Sequence, residues 1–549
     1  MMKNETLKNI IFLLLLSYLF LMFGNGILSL TNPDEVFYAQ TAKEMVQKNS
    51  WMTPYLFGQP QFEKPILLYW LMRSGFLVFG INSFSARFFP ALFAILGVIA
   101  VYLLALIGFK NEKKAFLSGL IAMSYGLYVG LAHSVFTDML FSVLVLFSLV
   151  SFFWAYSEKK YRRLGIYLFF IFSGLAVLAK GPLGFLIPFA VVSVFLLWHR
   201  DIKFVFSKDF FFGGVICLAL ALPWYILMVK KYGSVFTYEF FYNDHWRRII
   251  EAEHLANDTW YFYPVAMIGC MFPWSVYVLG GLAYLFLRLK RATSMLHLFL
   301  AAWIIAVLLI FQFAHSKLVS YIFPLFPALS LITADFIYDF STGENKRPLR
   351  TASLITGFIL FCIPAGLLVS SRIFSAYIPS KAPLYFLALL LLFLAGSFLI
   401  FSLRGKFIKS VYTLMLVIPL ILLFLPFVAQ DAEPYISSKA ACDYLLKNYD
   451  VKGTILCSKF FARGVRYYTG REVAVIDING KNFFSPHPIP FFSTMEEVKV
   501  FLRGQGPVYG VLKKSALVRI KELPEEEFSY RVLKLIGDEY LVKMEVKNR

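Results

Sequence analysis

Long apolar runs recur along the first 430 residues of the chain, separated by short polar segments. A helix needs about 20 predominantly apolar residues to cross a bilayer, and most of these runs approach that length. They therefore predict a polytopic α-helical membrane protein with about thirteen transmembrane helices. The predicted spans are 9–30, 88–109, 115–131, 139–157, 164–179, 184–198, 210–229, 262–287, 296–314, 321–340, 351–371, 384–403 and 411–429.

The first run follows Lys3 and Lys8. It is too long for the apolar core of a cleaved signal peptide, and no small-residue cleavage site follows it, so we expect a retained signal anchor. Composition supports the membrane class, since 59% of the 549 residues are hydrophobic and 18% are aromatic. A soluble domain cannot bury that much apolar surface.

Basic residues concentrate in alternate loops, which predicts the orientation of the chain. Together with Lys3 and Lys8, six short segments hold 21 of the 53 lysines and arginines. The positive-inside rule makes these segments cytoplasmic, which places the N-terminus inside and the C-terminus outside. The six segments are 109–114, 157–163, 199–208, 288–291, 344–350 and 404–409.

The net charge of +20 is therefore mainly a signal of topology. It does not indicate a nucleic-acid partner, because most of the excess lies in cytoplasmic loops. The smaller excess on the outer side favours contact with anionic membrane lipids.

Residues 430–549 have the character of a soluble domain, whereas residues 1–429 form the predicted membrane domain. Helical stretches near 436–448, 494–503 and 513–522 alternate with short β-rich runs such as "TILCS" and "PVYGVL". This predicts a small external α/β domain. It contains no glycine-rich phosphate loop, so no nucleotide cofactor is expected. Cys442 and Cys457 both lie in this domain and could form a disulfide, although nothing in the sequence requires one.

Two outer loops, 31–87 and 230–261, are long and have helical composition, so we expect helices along the membrane surface there. On this topology the ionisable clusters gather on the outer side. Such residues at membrane depth are costly and suggest function. The five clusters are Asp34-Glu35, Glu63-Lys64, Asp138 in "HSVFTDML", the segment "YEFFYNDHWRRIIEAEH" (238–254) and "HSKLVSYIFP" (315–324).

The acidic clusters also have structural interpretations. "NPDE" is a good helix start in which Asn32 caps the helix, Pro33 takes the first helical position and both acids meet the positive end of the helix dipole. Glu35 is the better candidate for capping and Asp34 for chemistry. Asp138 follows a very short turn and could simply cap the next helix.

The cationic clusters are equally two-sided. Arg247 and Arg248 could extend to lipid headgroups, or bind phosphate, for which arginine is the preferred bidentate ligand. Lys317 and Tyr321 are four residues apart at a predicted helix start, so they would share one face and suit a phosphate near the interface.

Three further residues could bind a divalent metal, although no local motif supports this and a single histidine is more often structural. They are Glu63, His245 and His487.

Carboxylates and cations at the outer mouth of an aromatic-rich membrane domain suit a reaction on a lipid-linked phosphate. Nucleotide sugars are not expected outside the membrane, so an external glycosyl transfer needs a donor carried across on a lipid, such as a polyprenyl phosphate.

The chain resembles the C-type integral-membrane glycosyltransferases of the protein O-mannosyltransferase and aminoarabinose transferase superfamily, most closely the bacterial lipid A aminoarabinose transferases. The resemblance spans nearly the whole membrane region in order. It is carried by "NPDEVFYAQTAKEM", "FEKPILLYW", "ARFFPALFA", "FTDM", "LAKGPLGFLIP" and "HSKLVSYIFPLFPAL".

The resemblance implies roles for matching residues. Asp34 matches the essential acid of the first outer loop, and Asp138 a second active-site carboxylate. Lys64 matches a ligand of the polyprenyl phosphate. Tyr321 and Arg248 match residues that assist Lys64, with Lys317 nearby. Either Arg247 or Arg248 could be the arginine that binds the phosphate. Glu63 and His245 match positions that bind a metal in relatives, and His487 is the weakest candidate.

The expected reaction is inverting transfer from a polyprenyl-phosphate sugar, on the periplasmic side of the bacterial inner membrane. Asp34 would be the general base for a hydroxyl acceptor, or would orient the donor if the acceptor is a phosphate of lipid A. The sugar, with aminoarabinose favoured, and the acceptor, whether lipid A, lipopolysaccharide core or protein, stay open. Mannosyl, hexosyl and galacturonosyl transfer are alternatives. A lipid binder or transporter is the alternative of a different class, but transporters often show internal repeats, and none is visible.

Overall fold

The computed structural model of the protein describes residues 4–252, 255–291, 294–375, 377, 379–480, 483 and 487–547. Helices occupy the chain from Asn4 to Ile436, and a smaller unit with a β-sheet follows. The helices of the first part are α1 (Asn4–Leu21), α2 (Asp34–Gln47), α3 (Leu67–Phe79), α4 (Ser83–Phe109), α5 (Glu112–Met123), α6 (Gly126–Ala132), α7 (Thr137–Ser157), α8 (Arg162–Lys180), α9 (Leu183–Trp198), α10 (Lys208–Thr237), α11 (Arg247–Ile250), α12 (Phe262–Cys270), α13 (Ser275–Arg291), α14 (Met295–Gln312), α15 (Phe326–Thr342), α16 (Arg347–Ile373), α17 (Lys381–Leu403), α18 (Phe407–Met415) and α19 (Val417–Ile436).

Shorter elements connect these helices. A two-stranded hairpin, β1 (Tyr55–Leu56) and β2 (Gln59–Pro60), lies between α2 and α3. Tyr238–Trp246 forms a π-helix between α10 and α11. The 3₁₀ helices are Lys159–Tyr161, Ile202–Phe206, Leu255–Asn257 and Val319–Leu325.

Ten helices within the described ranges are long and apolar enough to span a membrane, or eleven if α5 and α6, which meet at 64°, form one span. The predicted count of thirteen is higher because three predicted spans are not single long helices. The run at 115–131 is the bent α5–α6 pair, and α9 has only 16 residues. The run at 262–287 breaks between α12 and α13, where Pro273 has no backbone N–H to continue a helix.

The helices around the predicted outer clusters pack closely. α7 packs along α8 and α4, while α10 lies against α8. α4 begins with a capping box in which Asn82 and Ser85 bond each other's backbone N–H groups. These contacts bring the start of α7 close to the end of α8, and the bonds from Arg87 and the Val135 N–H to Glu35 place the start of α2 beside them.

The C-terminal unit contains both helices and strands. Its helices α20, α22 and α23 overlap the three predicted helical stretches, whereas α21 was not predicted. Its elements are α20 (Lys439–Asn448), β3 (Ile455–Ser458), α21 (Ala462–Thr469), β4 (Val473–Ile476), β5 (Phe491–Phe492), α22 (Met495–Arg503), β6 (Val508–Leu512), α23 (Lys514–Ile520), β7 (Phe528–Ile536) and β8 (Glu539–Val546).

The six strands form one sheet in the order β5-β4-β3-β6-β8-β7. β5, β4, β3 and β6 are parallel, and β8 and β7 complete the sheet with antiparallel pairs. Register places Leu456 beside Ala474 on one side and Gly510 on the other. Cys442 and Cys457 are both buried and free, so they do not form the disulfide that the sequence left open.

The C-terminal unit docks on α2 through α21. A side chain at Gly464 would meet Asn32, since a Cβ placed there would lie 2.1 Å from the Asn32 Oδ1 atom. Nearby, Lys43 Nζ donates to the Tyr467 carbonyl at 2.7 Å, and Tyr468 Oη donates to the Leu30 carbonyl at 3.1 Å. The contact places the start of α21 directly over the start of α2.

Candidate active site

The two acids at the start of α2 lie in different environments. Glu35 is 2% exposed and forms a bidentate ion pair with Arg87, with Nε–Oε1 and Nη2–Oε2 distances of 2.8 and 2.6 Å. Its carboxylate also accepts hydrogen bonds from the N–H groups of Thr31 and Val135. Asp34, by contrast, has a side chain that is 60% exposed. Glu35 therefore anchors the start of α2 through a buried ion pair and not as the cap that the sequence suggested, whereas most of the Asp34 side chain is exposed.

The predicted capping by Asn32 is wrong. α2 begins at Asp34, and no side chain caps it from Pro33. Instead, Asn32 Nδ2 donates to Ser438 Oγ at 2.8 Å, and the Asn32 N–H donates to the Ile436 carbonyl at 2.8 Å. Tertiary contacts with the C-terminal unit take precedence over the local capping preference.

The C-terminal unit contributes Arg463 to this region. Its Nη1 atom lies 3.9 Å from Asp34 Oδ1, and its guanidinium lies over the Phe37 ring at 4.8 Å. Nη2 of Arg463 also contacts His487 Nε2 at 2.8 Å. Nothing in the local sequence around Arg463 marked it as a site residue.

Asp138 lies in the first turn of α7 and pairs with Lys180 at the end of α8, with an Nζ–Oδ1 distance of 2.6 Å. Each charge also suits its helix end, because the dipole favours an acid at the N-terminus and a cation at the C-terminus. Lys180 additionally lies over the Tyr321 ring at 4.9 Å. Lys180 lies in the segment "LAKGPLGFLIP", but the sequence does not predict it as a site residue. An ionisable side chain at the end of an apolar run was the available signal.

Lys64, Arg248 and Tyr321 come together as predicted, around an acid that the sequence reasoning missed. Asp244 accepts two hydrogen bonds from Lys64 Nζ, at 2.9 and 2.8 Å, and lies 3.2 Å from Arg248 Nη2. Arg248 Nη1 donates to Tyr321 Oη at 3.2 Å. Asp244 was visible only as a neighbour of His245 in a charged segment.

These side chains line a cavity of about 330 Å³. Lys64, Lys180 and Arg248 bring three positive charges to its wall, against the single carboxylate of Asp244. The rest of the wall is largely apolar, so the cavity suits an anion that carries a hydrocarbon chain. The apolar lining residues include Leu183, Leu186, Ile310, Phe311 and Phe313.

Two predicted phosphate ligands do not line this cavity. Arg247 Nε donates to Glu251 at 2.6 Å, and its Nη1 donates to Asn243 at 3.2 Å. Lys317 Nζ bonds the Asp258 carboxylate and the Thr259 carbonyl, each at 3.2 Å. The shared helical face predicted for Lys317 and Tyr321 is wrong, because the helical segment begins at Val319, after Lys317.

Glu63 lies between Arg463 of the C-terminal unit and the cluster formed by Lys64, Asp244 and Arg248. Burial raises the pKa of its carboxyl above the usual range, opposed mainly by the positive charges of Arg463 and Lys64. Tyr38 lies near both Asp34 and Asp138. Burial raises the pKa of its hydroxyl, and the charges of Asp138 and Asp34 raise it further. Asp34, Asp138 and the cationic cavity therefore belong to one region.

Glu63, His245 and His487 do not form a metal site in this arrangement. Across the residues that the structure covers, no three His, Cys, Asp or Glu side chains are grouped so that they could hold an ion. His245 Nδ1 bonds the Phe240 carbonyl at 2.7 Å, and the Nε2 atom of His487 faces Arg463. The predicted set therefore does not fit a metal.

Gly181 explains how His245 reaches the site. A Cβ atom at this position would lie 2.4 Å from His245 Nε2, and the backbone φ is +79°. A larger residue would be strained and would push the imidazole away. The "KGP" sequence thus places Lys180 and His245 side by side.

Comparisons with known proteins agree with this architecture. The family model described as dolichyl-phosphate-mannose-protein mannosyltransferase matches residues 63–227. An uncharacterized protein of Aquifex aeolicus (strain VF5) is 30% identical over 372 residues, which is 66% of this chain and 79% of the relative. The undecaprenyl phosphate-alpha-4-amino-4-deoxy-L-arabinose arabinosyl transferase of Yersinia pestis (strain Pestoides F) is 29% identical over 347 residues. That match spans 62% of this chain and 61% of the Yersinia protein.

The fold has a solved counterpart. The crystal structure of ArnT from Cupriavidus metallidurans bound to undecaprenyl phosphate superposes with a TM-score of 0.79 at 20% identity and covers 97% of each chain. At 97% coverage of this chain, the likeness includes the C-terminal unit. The chain belongs to the superfamily of integral-membrane glycosyltransferases that includes the protein O-mannosyltransferases and the aminoarabinose transferases.

Proposed function

We propose that the protein transfers a sugar from a polyprenyl-phosphate donor to an acceptor of the bacterial cell envelope, with inversion at the anomeric carbon. One observation carries the proposal. Lys64, Lys180 and Arg248 converge on a cavity with an apolar wall, in the same region as Asp34 and Asp138. The name of the Yersinia relative and the ligand in the Cupriavidus structure support undecaprenyl phosphate as the lipid.

In the proposed complex, the donor phosphate occupies the cationic cavity and the polyprenyl chain follows the apolar wall into the membrane. Asp244 holds Lys64 and Arg248 in place before the donor binds, through the hydrogen bonds already described. Tyr321 positions Arg248 from the other side. Preorganised cations reduce the entropy cost of binding and face the atom on which charge develops.

The reaction is a single displacement. The acceptor oxygen forms a bond to the anomeric carbon as the bond from that carbon to the phosphate oxygen breaks, and the electron pair leaves with the phosphate. Lys64, Lys180 and Arg248 stabilise the negative charge that appears there. Asp34 takes the proton if the acceptor is a hydroxyl. A phosphate acceptor needs no base, and Asp34 then binds or orients the sugar.

We favour an amino sugar of the aminoarabinose type and lipid A as acceptor. The Yersinia name supports this sugar, and the exposed Asp34 carboxylate suits a cationic amino group. Mannosyl or other hexosyl transfer, as in the family model, is the alternative. The concentration of basic residues in alternate loops supports placing the N-terminus in the cytoplasm and the site in the periplasm.

Substitutions of the adjacent residues Arg247 and Arg248 test the proposed donor site. In proteoliposomes containing undecaprenyl-phosphate aminoarabinose and lipid A, Arg248→Ala is expected to lower transfer by about 100-fold and to weaken undecaprenyl phosphate binding. Arg247→Ala is the matched control, because Arg247 pairs with Glu251 outside the cavity. Equal effects of the two substitutions would reject the donor site. Donor binding without turnover of any sugar donor would instead favour a lipid binder or transporter.

A further inference from the structure

A further cavity, with a volume of about 500 Å³, lies mainly in the C-terminal unit. This lies within the range of roughly 300–1,000 Å³ typical of small-molecule sites. The cavity opens at the carboxyl ends of β3, β4 and β6, and none of the donor-site residues lines it. Its polar lining consists of Ser458, Lys459, Arg463, Asp477, Lys513, Ser515 and Arg519.

This cavity is a crevice at the edge of the sheet, and its position follows from the order of the strands. The chain leaves β3 through α21 to reach β4 on one side and later returns to β6 on the other side of β3. The direction of the connections therefore reverses between β3 and β6. In open parallel sheets, ligands bind outside the carboxyl ends of the strands at such a switch point. Ser458 and Lys513 mark the two strand ends and are joined by a 2.8 Å bond from Lys513 N–H to Ser458 Oγ.

The charge of the crevice indicates an anion. Lys459, Arg463, Lys513 and Arg519 face a single lining carboxylate, that of Asp477. Arg519 also contacts Glu522 at 3.1 Å. Lys513 Nζ lies over the Phe460 ring at 4.3 Å and over the Phe461 ring at 5.6 Å. Cations gathered in this way repel one another, and a bound anion would relieve that repulsion.

The crevice also connects with the candidate active site. Pro33, the residue before Asp34, forms part of its wall. Arg463 lines the crevice and lies 3.9 Å from the Asp34 carboxylate. A ligand held here would thus reach Asp34 from the side of the C-terminal unit, whereas the donor cavity lies within the helical bundle.

We propose that the crevice binds the phosphate of a phosphorylated sugar headgroup and thereby holds the acceptor. This inference rests on the proposed function, because it assigns the second substrate of the same reaction. Lys513, Lys459 and Arg519 contact the phosphate, while the aromatic ring of Phe460 and the hydroxyl of Ser515 contact the sugar. Arg463 places the bound headgroup next to Asp34.

The binding test uses the purified full chain in detergent with glucosamine 1-phosphate as probe, measured by titration calorimetry. Lys513→Gln is expected to weaken probe binding at least tenfold, about the effect of losing one charge-assisted hydrogen bond. Lys514→Gln is the matched control, because Lys514 is adjacent and exposed but does not line the crevice. Undecaprenyl phosphate binding is expected to be unchanged in both variants.

Further measurements distinguish a sugar-phosphate site from a simple anion site and from the donor cavity. Inorganic phosphate is expected to bind at least tenfold more weakly than glucosamine 1-phosphate, and equal affinity would reduce the crevice to a simple anion site and overturn the proposal. Unchanged probe binding in Lys513→Gln would also overturn it, as would probe binding that is lost in Arg248→Ala instead. If Arg248→Ala leaves undecaprenyl phosphate binding intact while Lys513→Gln abolishes probe binding, the proposed donor site fails and the crevice stands.

Discussion

Arg463 of the C-terminal unit lies 3.9 Å from Asp34 at the start of α2, so the candidate site is completed by both parts of the chain. The close approach of Gly464 to Asn32 fixes this geometry. The guanidinium of Arg463 also contacts His487. The C-terminal unit is therefore a structural part of the site.

Removing this guanidinium should impair transfer while the fold persists. We expect Arg463→Gln to reduce sugar transfer at least tenfold, because one charge-assisted contact is lost, with little change in undecaprenyl phosphate affinity. Initial rates in proteoliposomes would measure the effect. Arg466→Gln is the control from the same helix, since Arg466 pairs with the exposed Glu472. Wild-type rates in Arg463→Gln would contradict a role for Arg463 in the site.

Asp34 should be needed for turnover and not for folding. Asp34→Asn keeps the shape of an exposed side chain but removes its charge, so the melting temperature should stay within a degree or two. Transfer should fall by about 100-fold or more if the carboxylate acts as general base. Rates and melting curves measured on the same preparations would decide this. Unchanged transfer would remove Asp34 from the mechanism.

Substitution of Glu35 should lower stability, in contrast to Asp34→Asn, because the role of Glu35 is structural. Its ion pair with Arg87 is buried, with side chains 2% and 4% exposed, and Arg87 also bonds the carbonyls of Asn25, Leu28 and Ser29. Removing one partner of a buried pair typically costs about 3–5 kcal/mol, so Glu35→Gln should markedly lower the temperature of thermal unfolding. Asp450→Asn breaks the exposed pair with Lys452 and should leave that temperature unchanged. Equal effects would show that Glu35 is not an anchor.

Glu539 should make stability depend on pH. Burial raises the pKa of its carboxyl to about 8 in the folded protein, although the hydrogen bond from Ser438 opposes this. An unfolded glutamate titrates near 4.5, so between these values the folded state holds a proton that the unfolded state has lost. Its contribution is full below about pH 4.5 and is lost as pH rises through about 8. The total change is of the order of a few kcal/mol.

Thermal unfolding between pH 5 and pH 9 would measure this dependence, and Glu539→Gln should flatten it. Ser438 Oγ donates to Glu539 at 2.5 Å and accepts from Asn32. The bond from Ser438 favours the ionised carboxylate, so it should persist after the proton is lost, and the loss of stability then comes from burying the charge. An unfolding temperature that depends on pH equally in the wild type and in Glu539→Gln would contradict this role of Glu539.

The sequence by itself determined the membrane class and the resemblance to the glycosyltransferase superfamily. Apolar runs and their periodicity reflect burial along the chain, which is local information. Lys64, Arg248 and Tyr321 were predicted together, and the structure brings them together. Hydrophobicity could not show that α5 and α6 bend, or that α12 and α13 are separate helices, since a bend leaves the apolar run unbroken.

Only the tertiary structure decided which charges meet. Arg247 and Arg248 are neighbours in sequence, yet helical geometry directs one to Glu251 and the other to Tyr321. Lys317 turns to Asp258, and Asn32 leaves its predicted capping position for Ser438. Arg463 reaches Asp34 because two distant helices, α2 and α21, pack where Gly464 allows close approach. Pairing of this kind depends on the packing of elements that are far apart in the chain, which local residue patterns do not encode.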